Sequence, residues 1–366
     1  MPRIALVCSR QPRRPGPQHA WVSAITRAVN ELDRKQDLNW QCSVGTPGYD
    51  LALTLLAPLP AHKTIFVPAS WSLARGLAEP ELRALLVREY ALSANTFDIQ
   101  IVSGPNGSDE VTRDNIIVER ADLIYPISIR PKGTFELILA KEKHQGKIPY
   151  DYKVPWDNKH SSIKFDFSQR RISEATANTI NGRLLHFTRS PNGPWPGERI
   201  CDYWRQIGDG AGAPRDARAT LTRILNERML RASSTHMPFG AAMVAFSSAP
   251  LSDCVSLMRY RARYNFMAFE PWGVAFPHEL AKSFDIRPVR YLTSSELSQE
   301  THEERLYAQS AGERGLWSRE AEWRHAGAFS LAPVWPDIMA LTETESAARE
   351  IEKQFGLRVL PVFDET

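Results

Sequence analysis

The chain has 366 residues, 43% apolar and 24% charged, with 45 basic against 42 acidic side chains and a net charge of +3. That length is more than one core usually holds and predicts two domains. The near balance of charge removes any bulk argument for nucleic-acid or membrane binding.

Residues 3 to about 141 alternate short β-branched runs with helical periodicity. "RIALVCS" reads as a strand, "QHAWVSAITRAVNELDRK" as a helix, then come "NWQCSVG", "YDLALTLLAPL" and the strand "KTIFVPA". The helix "EPELRALLVREYALS", the strand "DIQIVSG", a helix opening near Arg113-Asp114 and the strand "LIYPISI" follow. Strands separated by helices predict a parallel, doubly wound sheet with helices on both faces. Residues 145–178 are polar, aromatic and proline-bearing, and read as a connector too aromatic to be a free linker. From 179 to 366 the pattern is mixed α+β. The expected division is therefore 1–144, a connector at 145–178, and 179–366.

Cys8, Cys42, Cys201 and Cys254 are spaced neither as a metal knuckle nor as a redox pair, which points to a reducing compartment. No two histidines show ligand spacing, so no metal is expected. The longest apolar stretch, "LALTLLAPLPA", is too short and proline-broken to span a bilayer. No small-residue cleavage site follows "IALVC". A cytoplasmic protein without membrane association is expected, with homo-oligomerisation left open. The basic cluster Arg10, Arg13 and Arg14 reads as a loop among prolines.

Ligands of open doubly wound sheets bind beyond the carboxyl ends of the strands. The strand exits here carry Ser9 and Arg10; Gly45, Thr46 and Gly48; Gly104; and Arg130, Lys132, Gly133 and Thr134. Small residues before a helix allow close backbone approach, and the first helical N–H groups favour an anion. The same residues also serve as ordinary turn formers and caps. Arg113 and Asp114, at the start of the helix after the fourth strand, complete this set.

"VGTPGYD", Arg113, Asp122 and "RPKGTFE" resemble the Rossmann-like superfamily of LOG phosphoribohydrolases, DNA-processing proteins and nucleotide-sensing domains of bacterial defence systems. The resemblance covers residues 3 to 141. It implies a Rossmann-like fold and a nucleotide or nucleotide-derived ligand. The last turn lacks the family's Gly-Gly, and Glu136 falls two residues after Thr134 instead of three. That displacement favours binding over glycosidic cleavage by Glu136, although a nucleotide N-glycosidase stays as an alternative.

In the second half, a His-Phe-Thr strand and "EAEWR" resemble a bacterial domain of unassigned function that recurs in abortive-infection proteins. They are similar, more loosely, to the ADP-ribosyltransferase fold. That resemblance implies NAD as a cofactor and a nucleic-acid or protein acceptor. His186 would hold the ribose, Glu322 or Glu320 would act as catalytic acid, and Arg189 would contact the pyrophosphate. On an extended strand Glu320, Glu322 and Arg324 share one face, opposite Ala321 and Trp323. The combined expectation is a nucleotide sensor of anti-phage or stress defence with an effector acting on NAD or nucleic acid. A non-enzymatic protein that reads nucleic acid or a partner through its tryptophans is the other class.

Overall fold

Strand β1 (Arg3–Val7) shows why the first half folds as a layered sheet. Ile4 and Leu6 point into one core, Ala5 and Val7 into another, and all four are buried. A strand buried on both faces has no polar side, as parallel sheets require. The structure, a computed structural model, describes all residues except 12–15, 17, 35–36, 72, 74–75, 158–164, 210–213, 236, 262–265, 312–316 and 366. Arg13 and Arg14 thus lie outside the described residues.

The chain forms two compact units. The first comprises residues 1–161 and 198–213, the second residues 162–197 and 214–366. Strands β2 (Asn39–Ser43), β3 (His62–Pro68), β4 (Phe97–Val102) and β5 (Leu123–Pro126) join β1 in a five-stranded sheet of order β4-β3-β2-β1-β5. Every pairing in it is parallel. Helices α1 (Ala20–Asp33), α2 (Pro47–Leu56) and α3 (Glu79–Tyr90) pack with Ile4, Leu6 and Trp40 in one core. Helices α4 (Asp109–Arg120) and α5 (Thr134–Leu139) bury Ile117, Val118, Phe135 and Ile138 with Val7 and Ile124 on the other side of the sheet. This is the expected α/β layering. The chain winds from β1 outward to β4, then returns through α4 to place β5 on the far side of β1.

Two boundaries differ from the sequence expectation. The helix Ile200–Gly208, unassigned in the sequence pattern, belongs to the first unit. Its Tyr203, Trp204 and Ile207 join the α1–α3 core, and Trp204 meets Trp21 edge-on at 6.1 Å. The connector is no separate element either. Tyr152 is buried in the first unit beside Tyr125, and Phe167 stacks on Phe363 in the second.

The second unit is built on a seven-stranded mixed sheet. Its order is Arg287–Pro288, Glu322–Ala326, Met243–Ser247, Arg183–Phe187, Gly273–Pro277, Met339–Thr342, Val359–Pro361. Only the last pair is parallel. Leu184, Phe246, Val274 and Ala340 face one core with helices Ala217–Glu227 and Glu345–Phe355. Leu185, Ala275 and Leu341 face the other core, with Cys254. "IRPVRYL", one strand by its sequence, divides into Arg287–Pro288 and Arg290–Leu292, which pair in different sheets.

Candidate functional site

The strand order reverses between β1 and β5, so the crevice at their carboxyl ends is the place where an open α/β sheet accepts a ligand. Hydrogen bonds join the two exits. The Ser9 N–H donates to the Ser128 carbonyl at 2.9 Å, and the Arg130 N–H donates to Ser9 Oγ at 2.9 Å. Buried Gln11 donates from Nε2 to the Ser9 carbonyl at 3.0 Å and the Ser128 carbonyl at 3.4 Å. Ser9 is therefore a buried tie across the switch point, not a surface ligand group. Arg130 is exposed, its guanidinium 5.7 Å from the Trp156 ring centre. Lys132 is exposed too, at φ +57°. Arg10 is exposed and ion-paired with Glu110 at 3.2 Å.

Beside this crevice, the β2 exit turns into α2. Gly45 adopts φ +85°, a left-handed conformation costly for other residues, and Thr46 is the extended N-cap. Pro47, which has no N–H, opens the helix. Gly48 packs against the end of β1: a Cβ placed there would lie 2.8 Å from Cys8 Cβ. Absence of a side chain at Gly48 is thus what brings the α2 start onto the β1 exit. The Thr46 hydroxyl is enclosed and has no hydrogen-bond partner. An N-cap threonine ordinarily accepts from the first turn of its helix; this one makes no such bond. The first-turn N–H groups after Pro47 likewise lack intrahelical acceptors by the geometry of any α-helix.

Three of the proposed anion turns are closed by the protein's own carboxylates. Asp109 accepts from the Gly104 N–H at 2.7 Å, which holds its carboxyl below the usual range. Glu136 accepts from the Lys132 N–H at 2.5 Å. Asp50 accepts from the Gly45 N–H at 2.8 Å. Gly104 and Gly45 therefore do not offer their N–H groups to a phosphate. Gly133 donates its own to the Arg130 carbonyl at 3.0 Å, and Thr134 is the exposed first residue of α5. Glu136 in this position closes a turn.

Arg113 and Asp114 sit beneath the rim instead of on it. Arg113 is 2% exposed and donates to Asp114 Oδ1 at 2.8 Å, Ser43 Oγ at 3.1 Å and the Val44 carbonyl at 3.3 Å. Its guanidinium lies over the Tyr49 ring at 4.8 Å, and the Tyr49 hydroxyl donates to Asp114 at 3.2 Å. Burial pushes the Asp114 carboxyl up, against the pull of Arg113. Asp50 adds a second acid nearby. Burial raises its carboxyl to about 6, against hydrogen bonds from Tyr90 (2.6 Å) and Gly45 and the charge of Arg113. The sequence reading did not single out Asp50, Tyr49, Tyr90 or Gln11. Asp50 stands inside the quoted "VGTPGYD", and a first-turn acid four residues after an N-cap was the available signal. Gln11 carried none.

In the second unit the expected catalytic pair does not converge. Neighbours in register share a face of the sheet: Glu322 pairs Ser247, which pairs Leu185. Leu185 belongs to one core, and His186, the next residue, points into the other. The His186 ring packs edge-on against Phe246 at 5.9 Å, and its Nδ1 is 2.8 Å from the Ala245 carbonyl, so Nδ1 carries the hydrogen. Burial lowers its pKa. Glu322 is 9% exposed and takes both carboxylate bonds to Arg324, at 2.8 and 2.9 Å. Glu320 belongs to a 3-10 turn outside the strand and pairs with Arg261 at 2.8 Å. Burial raises its carboxyl, and Glu322 adds to the rise. Half-buried Arg189 follows the strand and accepts through its carbonyl from the Thr220 hydroxyl at 3.3 Å. Opposite placement of His186 and Glu322 corrects the transferase constellation. The shared face of Glu322 and Arg324, with Trp323 opposite, is as the alternation predicted. Ala321, at φ +40° before the strand begins, packs in the other core from Trp323, so the alternation does not extend to Glu320 and Ala321.

All four cysteines are free and buried, and burial pushes the Cys8 thiol up to about 12. Among the described residues, no group of His, Cys, Asp and Glu is placed to hold a metal ion, and no helix is long and apolar enough to cross a membrane. The chain matches no protein-family model, and no curated protein is significantly similar to it in sequence.

Proposed function

We propose that the first unit binds a nucleotide or nucleotide-derived ligand through its phosphate, at the carboxyl ends of β1, β2 and β5. The observation that carries this reading is the opening of α2. An enclosed, unpartnered Thr46 hydroxyl stands at the positive end of a ten-residue helix, against the β1 exit and next to the switch point. Arg130 and Lys132, exposed at the β5 exit, supply the charge: the arginine fork suits two phosphate oxygens, the lysine one. Because Glu136 closes its own turn, the reading is ligand capture without hydrolysis. Because His186 and Glu322 lie on opposite faces of the sheet, the reading assigns no transfer chemistry to this pair.

The test is equilibrium dialysis and thermal-shift measurement with AMP, ATP, NAD and ADP-ribose. At least one should bind saturably. Thr46→Val should weaken it by about tenfold or more, on the order of one lost hydrogen bond to a charged group, while leaving the melting temperature unchanged or higher. Arg130→Ala with Lys132→Ala should weaken it further and flatten its salt dependence. Absence of saturable binding by all four compounds, or binding indifferent to both variants, sinks the reading.

A further inference from the structure

The second unit holds an open cleft of about 650 Å³ at the edge of its sheet, lined by Trp323 from the strand that carries Glu322 and by residues 278–288. It is lined by Trp323, met edge-on by His278 with ring centres 4.6 Å apart, and by Ile286 and Pro288. The Trp323 indole is fixed by a 3.1 Å bond from Nε1 to Ser248 Oγ. The strand that would otherwise cover this edge, Arg287–Pro288, is only two residues long.

Four charged side chains line the cleft, two of each sign: Glu279, Asp285, Lys282 and Arg287. Asp285 and Arg287 satisfy each other through bonds of 2.8 and 3.1 Å, and Arg287 also lies over the Tyr307 ring at 4.8 Å. Glu279 and Lys282 are exposed, and among the described residues neither enters an ion pair. The cleft therefore offers an apolar aromatic wall with one available anion and one available cation on adjacent turns, Glu279 in His278–Leu280 and Lys282 in Lys282–Phe284.

We propose that this cleft binds a small zwitterion with an apolar or aromatic body, of the size of a di- or tripeptide. Charge decides against a polyphosphate: two or more negative charges would meet a single available lysine in a cleft that Glu279 and Asp285 also line. The volume leaves room for a ligand larger than a free amino acid. A peptide's carboxylate pairs with Lys282, its ammonium with Glu279, and its side chains cover Trp323 and Ile286.

The probes are the dipeptides Leu-Phe and Trp-Leu, their acetylated and amidated forms, and ATP, each titrated calorimetrically into the full chain. Saturable binding of the free dipeptides is expected, weakened about tenfold or more by capping both termini and by Lys282→Glu or Glu279→Lys. Both substitutions are on exposed turns and leave the fold intact, which circular dichroism checks. Arg130→Ala with Lys132→Ala should leave dipeptide binding unchanged, which separates this cleft from the nucleotide reading. The proposal is overturned if neither dipeptide saturates at about 10 mM, a Kd with little binding free energy behind it. Equal binding of capped forms, or ATP binding that Lys282→Glu abolishes, overturns it as well.

Discussion

Two buried ion pairs, one in each unit, invite comparison. Arg113–Asp114 and Arg324–Glu322 have the same 2.8 Å contact and nearly the same side-chain exposure, 3% and 11% against 3% and 10%. The sequence pattern singled out Arg113, Asp114 and Glu322 as site residues. In the first unit the pair sits on adjacent helical positions, and the guanidinium reaches across to the β2 exit through Ser43 and Val44. In the second it sits on one strand face, and the guanidinium reaches the Leu306 carbonyl at 2.8 Å and Gln309 at 2.7 Å. Each arginine ties a segment distant in sequence to its sheet. The difference lies in what the acid has left: Asp114 keeps a hydroxyl donor in Tyr49, whereas Glu322 has both oxygens on Arg324.

Breaking each pair should sharpen that difference. Arg324→Met should cost about 3–5 kcal/mol in chemical denaturation followed by tryptophan fluorescence, because it strands a buried carboxylate and two acceptors. Arg324→Met combined with Glu322→Leu should recover much of the loss; recovery of nothing would show that the Leu306 and Gln309 bonds matter more than the charge. Arg113→Met should cost less, about 2–3 kcal/mol at pH 8, and less again at pH 5. Asp114 already has a raised pKa and protonates readily once its cation is gone. A loss independent of pH would contradict this account.

The smallest effect belongs to Asp50. Its folded pKa, about 6, is above the ordinary value of 3.8, so its favourable contribution is complete below 3.8 and is lost as pH rises through 6. Asp50→Asn should therefore be the more stable protein at pH 8, by on the order of 1–3 kcal/mol, with the two curves converging by about pH 4. Parallel curves across that range would mean Asp50 is not the buried acid described.

How much was legible follows from which residues carried periodic information. Strands β1, β2, β3 and β5 of the first unit were readable because both faces are largely buried, as in Ile4 to Val7, and such runs stand out from amphipathic helices. The helix Ile200–Gly208 was not, because it follows a Gly/Pro-rich loop and its partners, Trp21 and Leu51, are far away in sequence. At the candidate site, small residues at the turns were visible, but the acids that close them were not distinguishable from first-turn acids in general. Only geometry shows that Asp109, Glu136 and Asp50 close their turns while the enclosed Thr46 hydroxyl keeps no partner. The His186–Glu322 pairing failed for a reason of parity. Motifs on separate strands carry no information about which face each side chain takes until the strands are in register.

The return of residues 198–213 to the first unit has a consequence in time. A ribosome that has made only residues 1–161 has produced the whole five-stranded sheet, but not the Tyr203, Trp204 and Ile207 that join Trp21 in its core. That nascent chain displays a tryptophan-lined apolar face until about fifty more residues have emerged, by which point the second unit's first strand, Arg183–Phe187, has been made as well. Completion of the first unit is therefore scheduled inside the synthesis of the second, and a gene cut after residue 161 would encode a sheet with one core left open.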